Sequence, residues 1–453
     1  MNPRVLTLLA LFVCVPLLVA QQENAPAQTT AAAGEGSGEA VRRYANMPVE
    51  AVPFRRFTKP YHEWFVDKDT VAYHGAAGER PDGDIEKLDE VAIGFLGPLE
   101  NNPESIYGVP MLHGATLALE EANARGGYKG KPFVLKIYND SALWGASSTV
   151  LPSMLFNDNV WAVLGSIDGQ STHILIRVSL KLEVPILSPG TTDRTVNETR
   201  IQWLMDIFPD DRQQGYPLAD IIFKELDLKR VGVLRTNSRY ARIGVGPLTD
   251  YARRIGRQVV LEAKFDRGDT DFTKQLRMLE ARKIDGLVIW AEAREAALAV
   301  KQMRALGMKQ PVFASSRVAY PEFLELAGPA AEGVTVAAGL DPTREDPAWN
   351  KFRTKFVERW GYEPDPYAAY AYDGIVILTE AIERAGLNRG RIMEVLRGYQ
   401  MKEHHGVAGR YFFDHTLNNI APVTLGRVEN GKFVYWTAPG RDPLEPVVAQ
   451  KQE

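Results

Sequence analysis

From residue 91 onward, short apolar runs alternate with longer segments in which apolar positions recur every three or four residues. The runs at 91–95, 160–164 and 185–187 are short and uncharged, the pattern of buried strands, and 133–138, interrupted by Lys136, reads as a further strand. Between them, segment 109–124 places Leu112, Ala115, Leu119 and Ala122 along one helical face and stops at Gly126-Gly127. Further helices are expected near 146–156 and 172–182. After 203–208 the alternation begins again: helix 211–226, strand 230–234, helix 245–255, strand 258–265, helix 272–281, strand 286–290, helix 294–306 and strand 311–314. Helices at 348–360 and 367–385 precede strands near 410–413, 423–428 and 432–436. Strands that alternate with helices specify an α/β fold with a parallel sheet, and a pattern that runs twice specifies two doubly wound lobes.

Two loops stand out, 165–172 and 188–192. Each follows a buried strand, contains glycine and carries several hydroxyls. In an open α/β sheet, ligands sit beyond the carboxyl ends of the strands, where backbone N–H groups and helix N-termini converge. Neither loop contains an evident nucleophile–base pair, so the pattern points to holding a small polar molecule rather than transforming it.

The chain has 453 residues, 45% hydrophobic and 24% charged, a globular composition long enough for two or three domains. Its formal charge of −4 gives no basic footprint for nucleic acid. Residues 1–20 hold Arg4 followed by an uncharged apolar run that is short for a membrane anchor, the pattern of a secretory signal. The only cysteine, Cys14, lies within it, so the exported chain has neither a disulfide nor a thiolate metal site. Residues 21–40 read as a flexible linker. Residues 41–90 carry Tyr44, Phe54, Phe57, Tyr61, Trp64, Phe65 and Tyr73 among many charges, and are expected to form an extension packed on the body. Residues 437–453 read as a tail.

Motifs for chemistry are absent from the sequence. The seven histidines lack zinc-helix spacing, and there is no GxxxxGK[ST]. Gly244-Val245-Gly246 lacks the third glycine of a dinucleotide fingerprint. GSIDG at 165–169 does not match the nucleophile elbow of a serine hydrolase. No cofactor and no metal are expected. A secreted α/β hydrolase would rest on Ser166 or Ser171 near His173, without an orienting acid in view.

Several segments together resemble the type I periplasmic binding proteins, most closely the leucine/isoleucine/valine-binding branch that serves ABC importers. They are VAIGFLGPLE at 91–100, Tyr107-Gly108, HGATLALEEANARGGYKGK at 113–131, VLGS at 163–166, VPILSPGTTD at 184–193 and FPDDRQQG at 208–215. LKRVGVL, Asp271-Phe272-Thr273, MRALGM at 303–308 and YAAYAYDG at 367–374 continue the series in order. The resemblance implies two Rossmann-like lobes joined by a three-segment hinge, with residues 91–208 and 341–403 in the N-terminal lobe and 209–340 and 404–436 in the C-terminal lobe. It implies a periplasmic, non-catalytic protein that closes on a small molecule and presents it to a membrane permease, touching the membrane complex only peripherally. A ligand-sensing protein that reports to a receptor or redox partner is the alternative, motivated by the 41–90 extension.

Carried over by position, the resemblance places ligand contacts at Tyr107, at Gly169, Gln170, Ser171 and Thr172, at Ser188, Thr191 and Thr192, and at Tyr240, Glu292 and Arg317. Gly169 stands where the family has a serine that grips a carboxylate. Glu292 replaces an aromatic residue, and Arg317 replaces the acid that pairs with a ligand ammonium. An arginine there repels an ammonium and grips a carboxylate. Paired with Glu292 instead, it leaves a polar or amide-like ligand. The bland alternatives are rim or core packing for the tyrosines and turn capping for Ser188, Thr191 and Thr192.

Overall fold

The apolar runs form strands sealed between helices. In the computed structural model, which describes residues 87–437 apart from 101, 142–149 and 152, β1 (Val91–Gly97) is buried at every position. It pairs in parallel with β2 (Phe133–Asn139) and β3 (Ala162–Gly165), and β4 (Ile186–Ser188) and β5 (Leu204–Asp206) extend the sheet in the order β2-β1-β3-β4-β5. The signal, linker and tail expected at 1–20, 21–40 and 438–453, and most of the 41–90 extension, lie outside the described residues.

The second sheet is built from β6 (Val231–Thr236), β7 (Val259–Phe265), β8 (Gly286–Trp290), β9 (Val312–Ala314) and β10 (Thr335–Ala338), all parallel. After a separate hairpin of β11 (Glu403–Gly406) and β12 (Gly409–Phe412), β13 (Thr424–Glu429) and β14 (Lys432–Thr437) add antiparallel, giving β14-β13-β10-β9-β8-β6-β7. In the first sheet the order reverses between β1 and β3, and in the second between β6 and β8. Those reversals open the crevices where α/β sheets bind ligands.

The chain crosses from the first lobe after β5, and helix Asp211–Asp220 packs on helix Arg239–Arg254 of the second. After β10 it returns, and helix Pro366–Ala385 packs along helix Ser105–Ala124. The last crossing differs from the expected boundary at 403/404. The β11–β12 hairpin stays on the first lobe because the buried Asp373 carboxylate accepts the backbone N–H groups of Val407 and Ala408, both at 2.8 Å, and the Tyr411 hydroxyl at 2.5 Å. Val407, Tyr411, Phe413 and Leu417 complete that lobe's core. The chain re-enters the second sheet only at β13.

Candidate functional site

Three helices that face the crevices start earlier than periodicity predicts, and each start places a polar group. Helix Ser105–Ala124 begins before Tyr107 and continues through Pro110. Helix Gly169–Leu182 is capped by Asp168, whose carboxylate accepts the N–H groups of Gln170 (2.8 Å) and Ser171 (2.9 Å). Helix Arg239–Arg254 is capped by Ser238. These starts and the segments after β8 and β9 bring side chains of both lobes together.

Arg317 is the centre of that meeting, 2% exposed. Its Nη1 lies 2.8 Å from Glu292 Oε1 and 3.7 Å from Glu104 Oε1. Its Nε donates to the Tyr367 hydroxyl at 3.3 Å, and the guanidinium sits 3.9 Å from the Tyr240 ring centre and 5.0 Å from that of Tyr107. Tyr107 donates to Glu292 Oε2 at 2.7 Å. Arg267 donates to Glu104 at 2.5 Å and to Glu292 at 3.2 Å. Around this core the Tyr107 ring packs on Tyr320 and Tyr367, and Tyr367 stacks on Phe208.

Burial opposes the charges of Glu292 and Arg317 alike, and pairing decides the outcome. Burial works against the Glu292 carboxylate, but Arg317, Arg267 and the Tyr107 hydroxyl hold it below its ordinary value. Burial works against the Arg317 cation as well, yet Glu292, Tyr367 and Glu104 raise it well above the usual range. Both are therefore ionised at neutral pH. Asp168 behaves differently. Burial and then the Glu104 carboxylate push it up to about 7, against the helix N–H groups that favour its charge.

The sequence-predicted residues divide into groups. Tyr107, Tyr240, Glu292 and Arg317 meet in one inter-lobe cluster. Gly169 lies beneath Asp193: a Cβ there would fall 2.3 Å from Asp193 Oδ2, so this carboxylate fills the space that a side chain at 169 would take. Asp193 in turn receives Arg239 Nε of the second lobe at 2.7 Å. Gln170 is exposed, Ser171 is buried, and the Thr172 hydroxyl is spent on the Asp168 carbonyl at 2.8 Å. The Ser188 carbonyl accepts the Ile207 N–H, and the Thr192 carbonyl accepts that of Asp211. Thr191 Oγ1 accepts the Asp193 N–H at a long 3.4 Å. Trp290 is core, with Gly244 packed against its indole.

Four participants escaped the sequence reading: Glu104, Arg267, Tyr320 and Tyr367. Tyr367 opens the YAAYAYDG segment and Tyr320 follows Arg317 by three residues, so both were within reach. Glu104 and Arg267 are ordinary charges in sequence until folding brings them together.

A serine–histidine pair is not assembled from the candidates. Ser166 donates to Asp140 at 2.5 Å, and His173 Nε2 shares a 2.8 Å hydrogen bond with Thr195. Ser171 and His173 are two apart on one helix and point to different faces. Among the described residues no His/Cys/Asp/Glu group would hold a metal ion, and no helix is long and apolar enough to cross a membrane.

Comparison with known proteins agrees with this architecture. A family model described as "Periplasmic binding protein" matches residues 90–432. The Leu/Ile/Val-binding protein homolog 2 of Brucella abortus is 25% identical over 353 residues, 77% of this chain and 93% of that protein. The leucine-binding protein LivK of Thermotoga maritima superposes with a TM-score of 0.69 at 25% identity, over 76% of this chain and 97% of that one. The branched-chain amino acid transporter substrate-binding protein LivJ of Streptococcus pneumoniae, solved with isoleucine, gives 0.68 at 25% identity, over 77% and 99%. With two doubly wound lobes, polar side chains gathered between them and a family match across nearly all of the described chain, the protein belongs to the type I periplasmic binding proteins.

Proposed function

We propose that the chain is an exported, non-catalytic solute-binding protein that encloses a small polar or anionic organic molecule, amino-acid-like, amide or carboxylate, and delivers it to an ABC importer. The observation that carries this reading is the cluster of Tyr107, Tyr240, Glu292, Arg317 and Tyr367, contributed by both lobes at the crevices of their sheets. Groups placed there are remade whenever the lobes move, so solute binding and lobe closure share one free energy. Closure presents a permease with a surface the open form lacks. The Glu292–Arg317 pair refines the ligand class: the guanidinium is already balanced, so a carboxylate solute must compete with Glu292, whereas an amide or hydroxyl bonds to the pair intact.

Mass spectrometry of small molecules released from the natively purified protein, with a thermal-shift panel of amino acids, amides, dicarboxylates and aromatic acids, tests the reading. A released solute that raises the melting temperature supports it. Stabilisation by a macromolecule, with no response to any small molecule, overturns it. N-terminal sequencing of the exported chain checks cleavage of the signal.

A further inference from the structure

The first sheet ends on β2, and among the described residues no strand pairs with its outer edge. The Val91 N–H donates to the Pro132 carbonyl, which fixes the ladder. Val134, Lys136 and Tyr138 then turn their N–H groups toward β1, while Phe133, Leu135 and Ile137 turn theirs outward. The outward groups of Phe133 are met by the Asn123 side chain, which accepts its N–H at 2.7 Å and donates to its carbonyl at 2.8 Å. Beyond that contact, Leu135 is half-buried and Ile137 is 49% exposed. Leu112, Thr116, Leu119 and Asn123 share one face of helix Ser105–Ala124, so the Asn123 contact aims the half-buried Leu112 at the same flank of β2. The one charge on β2, Lys136, is paired with Glu90 at 2.8 Å. An apolar edge with its charge already engaged pairs readily with another strand, and proteins normally cover it.

The chain enters β1 beside this edge. The Leu88 carbonyl accepts Lys131 Nζ, Glu90 meets Lys136, and the Leu88 side chain packs on the first-lobe core. Upstream, residues 41–86 carry seven aromatic side chains, which need apolar surface to bury against. The last of them, Tyr73, stands in the uncharged stretch 70–78, and Pro81-Asp82-Gly83 supplies turn chemistry between it and β1. Residues 74–87 can span up to about 45 Å, against roughly 20 Å from Leu88 past β2 to the level of Ile137.

We propose that the 41–86 extension docks in cis on the outer edge of β2. Residues 71–73 lie antiparallel along it, bond to the outward groups of Leu135 and Ile137, and place Val71 and Tyr73 together on the flank of Leu112 and Ile137. An antiparallel strand at the edge of a parallel sheet is a common arrangement. β2 is the opposite edge of the sheet from β5, after which the chain crosses to the second lobe, so the docked extension leaves that crossing untouched. It is part of the first lobe and not an arm held free for a receptor.

Cys14 is the only cysteine, so two new thiols in the exported chain report one contact. Under mild oxidation Tyr73→Cys/Ile137→Cys is expected to close an intramolecular disulfide at least about tenfold faster than Tyr73→Cys/Val434→Cys, whose second site is 46% exposed on β14 of the other lobe. In hydrogen exchange of the full exported chain, the amides of 71–73 and those of Leu135 and Ile137 are expected to be protected together, and Ile137→Lys to speed both sets at least about tenfold. Equal disulfide rates in the two pairs, or unprotected exchange at 71–73, overturns the inference. A disulfide that forms only between molecules overturns it as well and assigns the edge to a second copy of the chain. The disulfide comparison decides the matter even where Ile137→Lys fails to fold.

Discussion

Replacing Arg317 by Met tests whether the inter-lobe cluster is an ion-paired core or a loose surface contact. Methionine keeps the length and the apolar stem, and removes the charge that Glu292 meets at 2.8 Å and the cation over the Tyr240 ring at 3.9 Å. Removing one partner of a buried pair costs about 3–5 kcal/mol, because the other charge stays buried. Loss of the aromatic contact adds roughly 0.5–2 kcal/mol. Glu292 keeps Arg267 at 3.2 Å and the Tyr107 hydroxyl at 2.7 Å, which brings the pair's share below its usual range and leaves an expected total loss of about 3 kcal/mol. At about 2–4 °C per kcal/mol for a unit of this size, the melting temperature falls by about 6–12 °C. Thermal and urea unfolding followed by circular dichroism at pH 7.5 measures it. The double variant Arg317→Met/Glu292→Gln removes the orphaned charge and keeps an acceptor for Tyr107, so it recovers about 1–3 kcal/mol of the loss. A single-variant loss under about 1 kcal/mol, or no recovery in the double variant, would refute the buried-pair argument.

Other outcomes follow from the same geometry. Gly169→Ser puts a Cβ 2.3 Å from Asp193 Oδ2 and must displace that carboxylate from Arg239, so a loss of about 1–3 kcal/mol and a more open form in small-angle scattering are expected; a neutral substitution would show that Asp193 moves freely. Gly244→Ala meets Trp290 Nε1 at 2.2 Å and should cost about 1–3 kcal/mol with a shifted tryptophan emission; an unchanged spectrum and melting temperature would contradict the packing. Stability of the ligand-free protein should fall as pH rises from about 4 to 7. Asp168 and Asp365 stand at about 7 and Asp373 and Asp414 at about 6, all raised chiefly by burial above their unfolded value of about 4, so the folded state binds more protons across that window. Melting temperatures at pH 5 and pH 8 check the sign, and a rise toward pH 8 would reverse it.

The inner strands β1, β3, β4, β6 and β8 were legible because burial on both faces leaves a run of apolar residues that no helix requires. β10 was not read, since its short run follows a glycine-, proline- and alanine-rich stretch that carries no clear period. Two capped helix starts were misplaced by several residues, because Asp168 and Ser238 accept the N–H groups of residues that have no apolar periodicity of their own, whereas the starts capped by Asp210, Asp346 and Asp365 were read to within one residue. The β11–β12 hairpin was assigned to the wrong lobe because its anchor, Asp373, lies 34 residues upstream and is linked to it only by tertiary hydrogen bonds. The site shows the same division. Tyr240, Glu292 and Arg317 lie in segments whose order resembles a known family, so each had a position to be compared with. The Glu104–Arg267 contact spans 163 residues and leaves no local trace.

Many of the contacts that cross between the lobes are polar: Tyr107 to Glu292, Arg267 to Glu104, Arg317 to Tyr367, Arg239 to Asp193 and Tyr320 to Asp365, beside the edge-on packing of Tyr107 against Tyr320. That chemistry suits a hinge. An apolar interface of similar extent would be driven shut by its own burial, solute or none. Ionic and hydrogen-bonded groups regain most of their interaction energy from water on separation, so closed and open forms lie close in free energy. A solute then tips the balance through the contacts it adds on top of the existing pairs. Arg317 and Glu292 both lie on the second lobe, so their pair is kept when the lobes separate. The contacts that a change of lobe angle makes or breaks are those that Tyr107, Tyr367 and Glu104 of the first lobe add to it, and the free energy of lobe movement is carried by them rather than by the pair itself.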